Sequence, residues 1–108
     1  MDGIDGILLD IDGVLVVSWE QILGAAKTVR WLRDQGIPFR LITNTTTHSR
    51  HELAKIVRAA GIDVAGEDVV TAVVMTGSYL RSHHPGAKVF LVSDGDPTDD
   101  LPDVDLVE

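Results

Sequence analysis

Short apolar segments alternate with amphipathic segments along most of this chain, and this order limits the folds it can adopt. Three apolar runs have the length of buried strands: residues 7–9, residues 39–43 and residues 88–92. Apolar spacing and helix start and stop signals predict three helices, over residues 21–35, 50–60 and 72–83. Such alternation predicts an α/β fold: a three-layer, Rossmann-like parallel sheet with flanking helices.

Polar residues follow the predicted strands where each one ends. Asp10, Thr43 and the Ser93-Asp94 pair all occupy such positions. Right-handed crossovers bring the carboxyl ends of parallel strands to one edge of the sheet, where ligands bind in open α/β sheets. We therefore expect these residues to share one edge. Val69-Val70 is predicted only as a short extended piece, and no strand is predicted after residue 93.

Two carboxylates, Asp10 and Asp12, lie one residue apart after the first strand, and Gly13 follows them. Positions i and i+2 of an extended chain point the same way, so the two side chains can converge. Mg²⁺ prefers oxygen ligands of this kind. A carboxylate can attack phosphorus, and a second carboxyl can protonate the leaving oxygen. The alternative interpretation is an ordinary turn of the Asx type.

A hydroxyl-rich segment, Thr43 to Thr47, follows the second strand. Hydroxyl and backbone N–H groups at a strand-to-helix turn can hold a phosphate. Thr and Asn are also common turn residues, so an ordinary loop is the alternative.

Together, LLDIDGVL and LITNTT resemble the first two motifs of the haloacid dehalogenase-like hydrolase superfamily, which is mostly Mg²⁺-dependent phosphatases. The resemblance covers nearly the whole chain. It is strongest to the subclass with a large cap after the third strand, that is, the NagD-like enzymes and the branch with phospholysine phosphohistidine inorganic pyrophosphate phosphatase.

The resemblance implies a role for each matching residue. Asp10 would be the nucleophile and Asp12 the general acid/base, and both would bind Mg²⁺. Thr43 and Asn44 would bind the phosphoryl group. Residues 14–20 would form a flap over the site, in which Trp19 either gates access or is simply an exposed or packed side chain.

Two further family motifs, a lysine and a distal acidic pair, are not found at suitable positions. We therefore expect residues 1–108 to be a single portion of the core domain, with the cap and the C-terminal half of the core absent. Gly95 to Asp100 literally fits the GDxxxD pattern of the distal pair but follows the third predicted strand rather than the fourth. The last fifteen residues hold seven acids and no base, and we expect them to form a solvated loop or tail.

The predicted function is Mg²⁺-dependent hydrolysis of a small phosphorylated substrate through an aspartyl-phosphate. The alternative is a non-catalytic half-domain that binds Mg²⁺ or phosphate weakly or forms a homo-oligomer through an exposed sheet edge. A signalling receiver domain fits less well, because it requires adjacent acids after the first strand. The chain has no basic nucleic-acid footprint and no membrane-length apolar run. A cytoplasmic location is expected from the absence of cysteine and of a basic leader.

Overall fold

A computed structural model describes residues 3–108 of the chain. The regular elements in chain order are β1 (Ile7–Asp10), β2 (Val16–Val17), β3 (Glu20–Gln21), α1 (Ala25–Asp34), β4 (Phe39–Thr43), α2 (Arg50–Ala59), β5 (Val69–Thr71), α3 (Ala72–His83), β6 (Lys88–Phe90) and β7 (Asp105–Val107). Single-turn 3₁₀ helices lie at Gly66–Asp68 and Thr98–Asp100.

The main sheet is parallel and has the strand order β1-β4-β5. Asp10 of β1 lies opposite Ile42 of β4, and Thr43 lies opposite Thr71 of β5. The β4 bounds are those predicted from the sequence, and β1 extends one residue further, to Asp10. The predicted parallel sheet with flanking helices is confirmed.

The third predicted strand, over residues 88–92, is a strand over Lys88–Phe90, but its predicted place in the main sheet was wrong. Residues 69–71 form the third strand of the main sheet, whereas β6 pairs in parallel with β7 in a separate two-stranded sheet. The prediction that no strand follows residue 93 was therefore also wrong. β5 was underestimated because it runs directly into α3: Thr71 ends the strand, and its hydroxyl Oγ1 also caps the helix by accepting the Val74 N–H (3.0 Å). β7 was missed because its few apolar residues lie among acidic residues, which are typical of loops.

The helices agree with the predictions except at the start of α1, which begins at Ala25 rather than at residue 21. Gln21 belongs instead to the β2–β3 hairpin, and its side-chain oxygen accepts the Ala26 N–H (3.0 Å). Helix α2 begins at Arg50, as predicted, and Ser49 is its N-cap, because Ser49 Oγ accepts the Glu52 N–H (3.2 Å). Helix α3 has the predicted bounds.

One hydrophobic core lies between one face of the main sheet and helices α1 and α2. The buried helical residues are Ala25, Ala26, Val29, Leu32, Leu53, Ala54 and Val57. They pack against strand residues of the same face, such as Leu41 and Val69, both fully buried. Side chains alternate along strands, so Leu8, which is 67% exposed, lies on the opposite face of β1. No helix within residues 3–108 has the length and apolar character that crossing a membrane requires.

Candidate active site

A groove of about 610 Å³ runs along the carboxyl edge of the main sheet. Its lining residues are Asp10, Asp12, Ile42, Thr43, Asn44, Val70, Thr71, Ala72 and Met75. Asp10, Ile42 and Val70 stand at one level of the sheet, since each is opposite the next in the strand register. The structure thus brings the four predicted site residues to one groove, with an apolar floor beside the carboxylates.

The turn after β1 aims both carboxylates outward because the residue between them is buried. Ile11 is only 1% exposed, and its N–H donates to the Ile42 carbonyl (3.1 Å), which continues the pairing with β4. The Ile11 carbonyl in turn accepts the N–H groups of Leu15 and Val16 (3.0 and 3.1 Å). Asp10 and Asp12 on either side of this anchor are exposed. Two carboxylates that line the same groove favour a bound cation.

Gly13 lets the chain reverse after Asp12. Its φ is 82°, a left-handed conformation that favours glycine, and its N–H donates to the Val16 carbonyl (2.8 Å). The following residues, 14–20, include most of the β2–β3 hairpin, which ends at Gln21. Trp19 lies in the hairpin turn with a φ of 64° and is 40% exposed. It is not among the residues that line the groove.

Thr43 is nearly buried, and its hydroxyl is organised by the loop that follows it. Thr43 Oγ1 accepts the Thr45 N–H (3.2 Å) and forms a second hydrogen bond with Thr45 Oγ1 (2.9 Å). When the Thr45 hydroxyl is the donor of the second bond, the Thr43 proton is left to donate to a ligand. Asn44 is exposed beside it.

The groove also includes residues that the sequence analysis missed. Thr71, Ala72 and Met75 come from the end of β5 and the first turn of α3, and they were not predicted because the third strand was misplaced. The available signal was a threonine directly before the predicted helix over residues 72–83, a common N-cap residue.

The two acids of the GDxxxD pattern have local partners away from the groove. Asp96 Oδ1 accepts from both the hydroxyl and the N–H of Thr98, and these hydrogen bonds lower the pKa of Asp96. Asp100 is buried and accepts the Arg50 N–H (2.7 Å), so the expectation of a solvated acidic tail was wrong at this residue. The expectation that Ser93 shares the sheet edge was based on the wrong strand, although its hydroxyl does donate to the Thr46 carbonyl (3.2 Å) in the loop after β4.

Asp10 and Asp12 are the two carboxylates among the residues that line the groove. Within residues 3–108, no group of three or more His, Cys, Asp or Glu side chains could hold a metal ion. Asp10 and Asp12 nevertheless fit the way Mg²⁺ is often bound, through one or two carboxylates, substrate phosphate and several waters.

Comparison with known proteins gives one family. The family model described as haloacid dehalogenase-like hydrolase matches residues 7–107. An acid sugar phosphatase from Staphylococcus aureus is 32% identical over 85 residues, which are 79% of this chain and 33% of that protein. The chain thus spans about a third of the length of this curated relative.

Solved structures agree with this match. NagD from Escherichia coli K-12 superposes with a TM-score of 0.82 and 32% identity, over 91% of this chain and 39% of NagD. A p-nitrophenyl phosphatase from Archaeoglobus fulgidus has a TM-score of 0.83 and 27% identity, over 95% and 40% of the two chains. A glycerol phosphate phosphatase from Mycobacterium tuberculosis, solved in complex with magnesium, has a TM-score of 0.74 and 28% identity, over 90% and 28%.

Proposed function

The chain belongs to the haloacid dehalogenase-like hydrolase family, and we propose that it carries the catalytic carboxylates of a phosphatase that acts on small phosphorylated substrates. The observation that supports this most is the meeting of Asp10, Asp12 and Thr43 in one groove at the carboxyl edge of the sheet. The similar proteins, an acid sugar phosphatase and a p-nitrophenyl phosphatase among them, support phosphate esters as the substrate class.

Asp10 is the proposed nucleophile. Its carboxylate oxygen attacks the phosphorus, the bond from phosphorus to the leaving oxygen breaks, and an aspartyl-phosphate forms. Asp12 donates a proton to the leaving oxygen as the alcohol departs. The Asp12 carboxylate then removes a proton from the water that attacks the phosphoenzyme, which releases phosphate and restores Asp10. The buried Ile11 supports these roles because it holds the turn that presents both carboxylates to the groove.

Thr43 and Asn44 are the proposed phosphoryl-binding residues. The Thr45 hydroxyl and N–H can both donate to Thr43 Oγ1, and the Thr43 O–H then points its proton at a phosphoryl oxygen. This arrangement fixes a donor before the substrate arrives, which reduces the reorganisation that binding requires.

Mg²⁺ is the proposed cofactor, and Asp10 and Asp12 would hold it. When bound, Mg²⁺ would offset the negative charge of the carboxylates and the phosphate and so favour their close approach. The magnesium complex of the mycobacterial relative supports this choice.

We also propose that residues 1–108 are one portion of the core domain, and that a cap and the second half of the core lie outside these residues. This organisation is supported by the comparisons, because the chain covers only 33% of the acid sugar phosphatase and 39% of NagD. The cap would select the substrate. The composition supports a cytoplasmic protein that binds neither nucleic acid nor membrane.

A non-catalytic alternative is favoured by the open side of β1. Within residues 3–108, β1 pairs with β4 on one side only, and Leu8 is 67% exposed. An unpaired edge strand is a template for pairing with another chain. The chain by itself would then bind Mg²⁺ or phosphate weakly and self-associate.

Hydrolysis of p-nitrophenyl phosphate with Mg²⁺ separates these functions. The proposed phosphatase turns over the substrate, Asp10→Asn abolishes turnover, and the matched control Asp5→Asn, an exposed acid just before β1, keeps it. Equal activity in the Asp10→Asn variant would contradict the proposal. A folded wild-type protein without turnover, but with a concentration-dependent mass by light scattering, would support the self-associating half-domain.

A further inference from the structure

Residues 93–100 lie against the loop that follows β4. Ser93 Oγ donates to the Thr46 carbonyl (3.2 Å). Gly95 packs so closely on Thr47 that a Cβ atom there would collide with the Thr47 carbonyl oxygen, and its φ of 96° also favours glycine. We call residues 44–49 the phosphate loop.

Asp100 makes the third contact, at the far end of the phosphate loop. Its side chain is 1% exposed, and Oδ2 accepts the Arg50 N–H at 2.7 Å. Arg50 is the first residue of α2, so Asp100 occupies a helix N-terminus. A carboxylate at this position is favoured by the helix dipole and makes a charge-assisted hydrogen bond.

Helix α2 already has an N-cap residue, so capping the helix does not by itself explain the Asp100 contact. Ser49 Oγ accepts the Glu52 N–H, and the Ser49 side chain is buried. Asp100 instead joins the helix start to a segment fifty positions later in the chain. The other oxygen of Asp100, Oδ1, is buried without a hydrogen-bond partner among the described residues, and Arg50 Nε lies 3.8 Å from it. A buried carboxylate is costly, so its presence here calls for a role beyond filling space.

We propose that Asp100 is a positioning residue for phosphate binding, an inference that rests on the proposed function. Through the Arg50 amide it fixes the end of the phosphate loop, while Ser93 and Gly95 fix its middle. The loop is thereby held in the conformation in which Thr43 and Asn44 face the groove. Asp100 itself is not among the lining residues and does not touch the substrate.

The test compares two substitutions at one position. Asp100→Ala removes the acceptor, and we expect amide hydrogen exchange in the phosphate loop to quicken about tenfold, as for loss of one hydrogen bond to a charged group. Inorganic phosphate binding, measured by titration calorimetry with Mg²⁺ present, should weaken by a similar factor. Asp100→Asn keeps an acceptor oxygen but loses the charge, so both effects should be only about threefold, because a charge-assisted hydrogen bond is roughly twice as strong as a neutral one.

A matched control separates positioning from general destabilisation. Asp68 also uses one oxygen, Oδ2, to accept a backbone N–H, from Ala65 (2.9 Å), and that oxygen also pairs with Arg33 (2.7 Å) at the opposite edge of the sheet. Asp68→Ala should lower the melting temperature without changing exchange in the phosphate loop or the Kd for phosphate.

Three results would overturn the inference: unchanged loop exchange in Asp100→Ala, an Asp100→Asn variant as defective as Asp100→Ala, or an equal loss of phosphate binding in Asp68→Ala. Failure of the wild-type protein to bind phosphate would instead overturn the proposed function. The exchange measurement uses ligand-free protein, so it would still decide whether Asp100 orders the loop.

Discussion

Ile11 is the apolar anchor of the two carboxylates, and its truncation tests whether burial at one position sets their geometry. The side chain is 1% exposed and belongs to the main hydrophobic core, while Asp10 and Asp12 on either side face solvent. Shortening it should both destabilise the protein and loosen the turn. The two effects can be separated, because any buried residue of this size should lose stability when shortened, whereas only a residue beside the carboxylates should also loosen their turn.

The expected size follows from the buried carbon atoms. Ile11→Ala removes about three methylene equivalents, or roughly 2.4 kcal/mol at about 0.8 kcal/mol each. The cavity left behind raises the loss to about 3–4 kcal/mol, whereas Ile11→Val should cost only about 1 kcal/mol. Since a domain of this size has a stability of about 5–15 kcal/mol, the Ala variant should remain folded without denaturant.

Urea unfolding followed by the fluorescence of Trp19 and Trp31, both about half exposed, measures these losses. Ile62 provides the matched control, since it is also 1% exposed but lies after α2, away from the groove. We expect Ile62→Ala to lose similar stability and to keep its phosphate affinity and any p-nitrophenyl phosphate turnover. Ile11→Ala should lose both functions by about tenfold or more, because small misplacements of reacting groups are costly.

A loss below about 1 kcal/mol in Ile11→Ala would refute the anchoring argument, since that is less than the transfer free energy of the removed atoms. Equal functional losses in the Ile11 and Ile62 variants would refute the link between the anchor and the carboxylates.

Three further predictions concern single contacts. Gly13→Ala should lower the free energy of unfolding in urea by about 1–2 kcal/mol, because its φ of 82° is unfavourable for alanine. The loss should not be larger, because no atom lies within 4 Å of the added Cβ. Ser49→Ala should cost about 1 kcal/mol, measured by thermal unfolding, because it removes the α2 cap. Burial raises the pKa of Asp68, but hydrogen bonds from the Ala65 N–H and the Arg33 guanidinium outweigh it, so the pKa lies below its ordinary 3.8. Asp68 therefore contributes stability above pH 3.8 that is lost as the pH falls through the lower folded value, and the stability of Asp68→Asn should vary less with pH in that range.

The sequence predicted the elements whose signals are local. The β4 bounds were predicted from five consecutive residues of strand character, Phe39 to Thr43, and the start of α2 from a helix start signal, which the structure shows to be the N-cap Ser49. The meeting of Asp10 with Thr43 could be anticipated because both follow strands of a parallel sheet. Local signals failed at β5, where three strand residues pass directly into a helix and Thr71 serves both elements.

Asp100 shows why the remainder could not be predicted. It lies in a run of acids, and composition alone favours solvation for every member of such a run. Its burial depends on one backbone amide, that of Arg50, fifty positions earlier in the chain. A contact of that kind leaves no periodic pattern in the sequence, so only the structure distinguishes Asp100 from its exposed neighbour Asp99.

The two sides of the groove are held by different physical means, and this difference determines how each should fail. The carboxylate side depends on apolar burial of Ile11, so it should respond to changes in side-chain volume. The phosphate side depends on hydrogen bonds: Thr45 to Thr43, Ser93 to the loop backbone, and Asp100 to α2. Loss of an acceptor should therefore weaken phosphate binding and leave cation binding by the carboxylates intact, while truncation of Ile11 should weaken both, because the same turn presents Asp10 to the cation and to the phosphate.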